Sequence, residues 1–170
     1  YLNAIEVKQT ATVAIKNLSA LYIDNKKFSD AFELLKEIQS YNIENVRLLF
    51  QYLLCCIKLK YIPKAQSLID TYEKLMIEAD QSHLYFLRSL HLEEQSLYDM
   101  SINEAKRAIE TSPKNNLYLI NLVNLYKKFG KTKEIENIVE QKLSLEKIDI
   151  ELTIEFFYFF FEIDKFKKAC

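Results

Sequence analysis

The chain repeats its apolar pattern at intervals of 34 and 36 residues. Successive steps of 34, 36, 34 and 34 residues reach an apolar residue each time: Tyr22, Cys56, Leu92, Tyr126 and Phe160. A second column, nine residues later, holds small or apolar side chains: Ala31, Ala65, Ser101, Ile135 and Ala169. A period of this length accommodates two short helices, which bury their apolar faces by stacking on the neighbouring copies. The sequence therefore predicts a stack of similar units.

Helices are the expected building blocks of each unit. The chain has one glycine, Gly130, and two prolines, Pro63 and Pro113. A β-sheet needs tight turns rich in these residues, so the composition favours an all-α protein. The pattern predicts helices over 1–8, 12–25, 29–41, 45–60, 63–78, 82–95, 98–111, 116–129, 132–145 and 150–163, with the start of another from 165.

The repeat resembles the tetratricopeptide repeat (TPR), which has two helices in about 34 residues. In "SLYDMSINEAKRAIETSPKNN", Tyr98, Ala108 and Pro113 fall on family positions, and Gly130 falls on the family's turn glycine. The copies are degenerate, since the chain has no tryptophan and departs from the pattern at Arg88, among other positions. The resemblance implies an all-α, right-handed α-solenoid of antiparallel helix hairpins, a TPR-like superhelix.

The spacing divides the whole chain, 1–170, into a single array. Because it begins and stops within a repeat, and solenoids need polar caps, we expect a fragment of a longer protein. The predicted units are 1–11 as the end of a preceding repeat, 12–45, 46–81, 82–115 and 116–149 as repeats, and 150–170 as a partial repeat.

The aromatic stretch "EFFYFFFEI", residues 155–163, is too short to span a membrane, which takes about 20 residues. The repeat register points Phe156, Phe157 and Phe160 inward, and it points Tyr158 and Phe161 toward the inner surface. A helix that is apolar all round is normally covered on all sides. Three explanations stay open: ordinary core packing at a chain end, a missing remainder of the array that covers the helix, or a partner. Self-association through this aromatic C-terminal repeat is one form of the last.

The charge balance argues against nucleic acid as a partner of this segment. There are 23 basic and 24 acidic residues, a formal net charge of −1, so no broad positive field attracts nucleic acid or an anionic membrane. The odd number of cysteines is not a disulfide framework. Cys55 and Cys56 are adjacent in an apolar run, so we expect small buried side chains in a reducing compartment, hence a cytoplasmic protein.

The sequence carries no catalytic or metal-binding motif. His83 and His91 would lie about 12 Å apart on one helix, too far to share a metal ion. His91 and Glu94 share a helix face and are expected to form a surface pair. The lysines of "YKKFGKTKE", residues 126–134, are expected to form a solvated turn. We therefore expect no enzyme activity, no metal and no cofactor.

The resemblance implies that the first helix of each copy lines a concave surface where peptides bind. The chain does not match the carboxylate clamp of some TPR domains. Ala20 and Gln51 stand where the clamp has asparagines, and His83 and Leu87 stand where it has basic residues. An apolar stripe with a charged rim is predicted instead, unless missing chain or a tight superhelix covers it. The predicted partner-binding residues are Arg47, Phe50, Leu54, Ile57, Lys58, Phe86, Leu87, Leu90, Ile120, Asn121, Asn124 and Lys128.

A protein or peptide with an amphipathic or apolar segment is the predicted partner, so the leading function is a non-catalytic interaction scaffold. Two alternatives remain open from the sequence. The array is compatible with the peptide-sensing domain of a transcriptional regulator that has a DNA-binding domain upstream. It is also compatible with an accessory arm of an enzyme whose catalytic domain lies elsewhere, since fold does not fix function.

Overall fold

Residues 2–39, 45–75 and 81–143, together with Ile154 and Tyr158, are described by a computed structural model. These residues form helices and turns and contain no strand. The helices are α1 (Leu2–Asp24), α2 (Phe28–Gln39), α3 (Val46–Lys58), α4 (Ile62–Leu75), α5 (Ser82–Glu94), α6 (Tyr98–Thr111), α7 (Asn116–Lys128) and α8 (Thr132–Leu143). From α2 to α8, the predicted helix starts agree with these within one residue.

A turn of the same geometry joins the two helices of every described hairpin. One residue of each turn adopts a left-handed backbone: Lys26, Lys60, Ser96 and Gly130, with φ between 59° and 67°. In each turn the next backbone N–H bonds to the carbonyl five residues earlier, as in the 2.8 Å bond from Lys27 to Tyr22. The left-handed residue bonds to the carbonyl three residues earlier, which completes a Schellman motif. The turns recur at 34, 36 and 34 residues, as the apolar columns do.

The predicted small-residue column lies at the most buried point of each second helix. Ala31, Ala65, Ser101 and Ile135 all have 0% exposed surface. The side-chain oxygen of Ser101 donates to the backbone carbonyl of Ser89 at 2.9 Å, and thereby links α6 to α5. Identical burial at equivalent positions confirms the repeat register over the described residues.

The fold is an all-α solenoid of helical hairpins. Each helix packs against the next one along the chain, and α3 also packs against α1 and α5. The buried apolar side chains form two clusters. One extends from α2 through α5 and includes Ala108 and Tyr118, and the other joins α6, α7 and α8 around Leu125 and Ile135. Among the described helices, none has the length and apolar character needed to cross a bilayer.

The predicted break between helices 1–8 and 12–25 is wrong. The structure has one continuous helix of 23 residues, Leu2–Asp24. The intervening sequence from Lys8 to Thr12 contains neither glycine nor proline, so nothing interrupts the backbone hydrogen bonds there. The break was inferred by extending the repeat period back to the start of the sequence, where no turn signal supports it. Assigning 1–11 to a preceding repeat stays a prediction.

Candidate functional site

The predicted partner-binding residues lie on α3, α5 and α7 at three different depths. The exposed ones are Arg47, Asn124 and Lys128. Those that are half-buried are Phe50, Leu54, Lys58 and Ile120. Those that are buried are Ile57, Phe86, Leu87, Leu90 and Asn121.

The predicted continuous apolar stripe is therefore not an exposed surface. Phe86 and Leu90 retain 5% of their surface, and Ile57 and Leu87 retain none. All four belong to the core cluster that joins α2 to α5. Because α3 contacts α5 directly, the first helices lie close enough to enclose these side chains. The prediction that these four side chains contact a partner is therefore corrected: they pack in the core.

Asn121 was predicted to face a partner, and it instead makes an internal contact between repeats. Its Nδ2 donates to Oγ of Ser89 on α5 at 3.0 Å, and only 8% of its surface is exposed. An equivalent bond joins α1 to α3, where Ser19 Oγ lies 3.0 Å from Oε1 of Gln51. Gln51 also donates from Nε2 to the backbone carbonyl of Lys16 at 3.2 Å. These amides fix the register of neighbouring repeats.

An aromatic ladder crosses the N-terminal halves of α3, α5 and α7. The ring of His83 makes edge contacts with Phe50 at 5.4 Å and with Tyr118 at 5.9 Å between centroids. The ring centroids of Phe86 and Tyr118 are 5.4 Å apart. Tyr118 is fully buried, and its hydroxyl lies 3.0 Å from Oγ of Ser82. Phe50 and His83 are half-buried, so these two rings are the part of the ladder that a partner can reach.

Sequence reasoning missed this ladder. His83 was considered as a metal ligand and at a clamp position, and Tyr118 was not singled out. The sequence did contain a signal, because Phe50, His83 and Tyr118 are separated by 33 and 35 residues, close to the repeat period. The columns that were followed began from Tyr22, and the ladder follows a different side of the first helices.

Charged side chains lie at the C-terminal ends of α3, α5 and α7, and Arg47 lies at the start of α3. Lys128 on α7 bonds to Glu93 on α5 at 2.9 Å, and this hydrogen bond raises the pKa of the lysine. Glu94 is 3.5 Å from Lys60 in the preceding turn. Within the described residues, Arg47 and Lys58 have no ion-pair partner. On α3, these two cations, which are unpaired among the described residues, lie within four residues of Phe50 and Leu54.

Cys55, Cys56 and His91, which the sequence analysis considered for chemistry, are buried in the core. Burial raises the pKa of Cys55 to about 12 and that of Cys56 to about 11, so both thiols stay protonated and unreactive. His91 was expected in a surface pair with Glu94, but only 3% of it is exposed, and burial lowers its pKa. Over 2–39, 45–75 and 81–143, no three side chains of the metal-ligating types come together.

The aromatic C-terminal stretch lies mostly outside the described residues, including Phe156, Phe157, Phe160 and Phe161. Ile154 and Tyr158 are described, both are helical, and they are 49% and 60% exposed. Tyr158 had been predicted to point toward the inner surface, and its exposure is compatible with that orientation. By repeat spacing these two residues continue the columns of Ile120 and Asn124.

No protein-family model and no curated protein sequence matches this chain. Solved structures do match it. The TPR domain of Arabidopsis OM64 has a TM-score of 0.55 and 16% identity, and the match covers 70% of this chain and 96% of that one. The first TPR domain of human RPAP3 has a TM-score of 0.55 and 15% identity, and the match covers 72% and 94%. At this identity the likeness shows the fold: the chain is a TPR-like repeat protein.

Proposed function

We propose that this protein is a non-catalytic scaffold that binds a protein or peptide across α3, α5 and α7. The observation that carries the proposal is the accessible apolar surface of Phe50 and Leu54 beside Arg47 and Lys58. The two cations have no ion-pair partner in the part of the chain described above, so a ligand can approach them without breaking a salt bridge. The TPR-like fold supports an interaction role in general.

The chemistry of this surface favours an amphipathic segment with acidic residues on one edge. Apolar side chains of such a segment would cover Phe50, Leu54 and Ile120. This contact contributes about 25 cal/mol for each Å² of apolar surface, before the cost of ordering the peptide. Carboxylates at the edge would meet Arg47 and Lys58, and would set orientation and association rate more than affinity. The near-neutral net charge supports a protein partner over nucleic acid.

The test begins with a random peptide library selected on the immobilised chain, and continues with calorimetric titration of the selected peptide. Leu54→Glu places a charge in the apolar surface, and Arg47→Glu reverses an exposed charge without touching the core. We expect each variant to lose tenfold or more in affinity, which corresponds to about 1.4 kcal/mol. Phe86→Glu is unsuitable, because Phe86 is buried and its replacement would unfold the protein.

Leu75→Glu is the matched control. Leu75 is 40% exposed at the end of α4, on a second helix, and its replacement should leave the affinity unchanged. Equal affinity of wild type, Leu54→Glu and Arg47→Glu for every selected peptide would show that the proposed surface is not the binding site.

Two further parts of the proposal concern location and self-association. Two buried, unpaired thiols support a reducing compartment, hence the cytoplasm, as the protein's location. Exposure of Ile154 and Tyr158 supports a contact through the aromatic C-terminal repeat, either with a ligand or with another copy. Replacing Tyr158 with serine should weaken any association that depends on this repeat, as measured by sedimentation.

A further inference from the structure

Two adjacent hairpin turns expose apolar side chains at one side of the array. The four described turns are numbered 1 to 4 in chain order, by their left-handed residues: Lys26, Lys60, Ser96 and Gly130. Turn 2 and turn 3 together expose four large apolar side chains, each by 40% or more: Tyr61, Leu97, Tyr98 and Met100. We call these four residues the edge patch. Exposed apolar surface that is concentrated in this way marks a contact site.

The edge patch belongs to the middle of the array and not to either end. Turns 1 and 4 flank it, and they carry charged residues at the positions equivalent to Leu97 and Met100: Lys27, Asp30, Lys131 and Glu134. Repeats stack along the axis of a solenoid, through the faces of their helices, and the hairpin turns lie at the side of the stack. A further repeat before α1 or after α8 would therefore leave the edge patch uncovered.

The two turns of the edge patch carry opposite charges. Residues 58–64 contain three lysines and no acid, whereas residues 94–100 contain Glu94 and Asp99 and no base. The side chains of Lys60 and Asp99 are 73% and 93% exposed. Lys60 lies 3.5 Å from Glu94, and Asp99 lies 3.5 Å from Lys131. These ion pairs are long and solvated, hence weak, so both charges can meet a partner.

We propose that the edge patch binds the edge patch of a second copy of this chain, about a twofold axis that passes between turns 2 and 3. This axis sets turn 2 of each copy against turn 3 of the other. Lysines then face acidic residues, and Tyr61 faces the partner's Leu97. A twofold interface requires a surface that is complementary to itself, and a basic apolar turn beside an acidic apolar turn meets that requirement.

Other positions of the axis fit the sequence less well. An axis through turn 3 would set its two acidic residues against the same residues of the partner, and like charges in contact are repelled. An axis between turns 3 and 4 would set Leu97 against the partner's Lys131, so the apolar side chains would have no apolar contact. The charges and the apolar residues therefore select the same axis.

The charge pattern also disfavours other occupants. An anionic membrane would attract turn 2 and repel turn 3, where the exposed Asp99 stands between Tyr98 and Met100 in the sequence. A different protein would need an acidic and a basic half in matching order, which a second copy already has. Two turns bury less surface than a standard interface, so we expect a dimer that dissociates in the micromolar range.

Sedimentation velocity over a concentration series, from about 1 µM to about 1 mM, brackets the expected dissociation constant. Wild type should change from monomer to dimer across this range. Leu97→Ser should weaken the dimer about tenfold, with unchanged helicity, because the side chain is exposed. Leu75→Ser is the matched control, since Leu75 is 40% exposed at the opposite end of α4 from turn 2, and its replacement should leave the dimer intact.

Charge reversal then tests the axis. Lys60→Glu sets an acid against the partner's Asp99, and Asp99→Lys sets a base against the partner's Lys60, so each variant alone should dimerise several-fold more weakly. An equimolar mixture of the two variants should form a heterodimer of near wild-type affinity, because both contacts again join opposite charges. Mixing cannot repair an ion pair within one chain, so the rescue reports the contact between copies.

Four results would overturn the proposal. The first is a monomer at every concentration, and if that monomer sediments with phosphatidylserine vesicles, the edge patch binds a membrane surface instead. The second is a dimer that Leu97→Ser leaves unchanged. The third is a mixture of Lys60→Glu and Asp99→Lys chains that associates no better than either variant alone. The fourth is a dimer that Tyr158→Ser abolishes and Leu97→Ser does not, because the C-terminal repeat would then form the contact.

Discussion

At the residue scale, three turns place a side chain where glycine would be favoured. Lys60 and Ser96 hold φ near 60°, as Gly130 does at the equivalent position. A residue with a Cβ is disfavoured there by about 1–2 kcal/mol, which the greater freedom of glycine in the unfolded chain partly offsets. We expect Ser96→Gly to stabilise the protein by about 0.5–1 kcal/mol, as measured by urea denaturation.

Gly130→Ala is the matched reverse substitution and should destabilise by a similar amount. A Cβ at Gly130 would meet no atom within 4 Å, so the cost comes from the backbone and not from a clash. Shifts of the same sign for Ser96→Gly and Gly130→Ala would contradict this account. The repeat period placed all four turns, and a glycine marked the left-handed residue of one, Gly130. The left-handed conformation of Lys26, Lys60 and Ser96 became visible from the backbone geometry.

His91 makes the stability of the fold depend on pH. Burial lowers the pKa of this histidine in the folded state below the usual value of about 6.5 in the unfolded chain. As the pH falls through 6.5, the unfolded chain takes up a proton that the folded protein does not. Stability should therefore be complete above about pH 6.5 and should decrease as the pH falls toward the lower folded pKa.

The variant that isolates this effect is His91→Leu, since α7 carries a leucine, Leu125, at the equivalent buried position. Nδ1 of His91 has no hydrogen-bond partner among the described residues, so the variant loses no bond at that atom. Urea denaturation between about pH 5 and about pH 8, which spans the unfolded pKa, should show a shallower loss of stability on the acid side. An unchanged acid slope would mean that other groups determine the pH dependence.

The burial of His91 could not be predicted from its residue type, because histidine is intermediate between core and surface residues in its burial. Its column contains Cys55 and Leu125, both buried, and following that column would have given the right answer. The burial of the small-residue column was predicted correctly, because there the residue types themselves carry the information. Ala31, Ala65 and Ser101 share a size, and a shared size at a repeat interval directly indicates close packing.

At the element scale, polar and apolar contacts alternate between successive first helices. Ser19 meets Gln51 between α1 and α3, and Ser89 meets Asn121 between α5 and α7. At the equivalent positions of α3 and α5 stand Leu53 and Leu87, both fully buried. A buried amide is satisfied only where its hydrogen-bond partner stands opposite it. Sliding one repeat along the next would leave the amide unpaired, so the polar pairs oppose such a shift.

A double-mutant cycle tests whether these pairs are energetically coupled. Ser89→Ala and Asn121→Ala should each destabilise by about 1 kcal/mol, and the double variant by less than their sum. Ser19→Ala combined with Asn121→Ala should be additive, because the two residues belong to different interfaces. Additive effects of Ser89→Ala and Asn121→Ala would show that the hydrogen bond between the two residues contributes no measurable coupling energy to stability.

The repeat period predicted the helix starts from α2 to α8, and turn signals in the sequence marked two of the helix ends. Pro113 follows the end of α6, and Gly130 follows the end of α7. The false break near residue 10 had no such signal. The repeat period therefore predicted most helix boundaries, and it failed at α1, where no turn signal supports a break.

At the scale of the whole molecule, the array was predictable and the depth of its inner surface was not. Apolar columns indicate which side of a helix is covered, but not how closely neighbouring helices approach. Phe86, Leu87 and Leu90 were assigned to an accessible stripe, and the close packing of α3 on α5 encloses them instead. The distance between α3 and α5 depends on the side chains of several helices together, so it cannot be predicted from any single column of the sequence.

A stack held together by neighbour contacts should lose structure locally when one end is weakened. Leu87 and Ile135 are both fully buried, the first in the cluster of α2 to α5 and the second in that of α6 to α8. Replacing either with alanine should cost about 2–5 kcal/mol. Hydrogen exchange of Leu87→Ala should accelerate in every helix, because the central repeats contact both ends. Exchange of Ile135→Ala should accelerate in α6, α7 and α8 alone, and a uniform acceleration in that variant would show that the array unfolds as one unit.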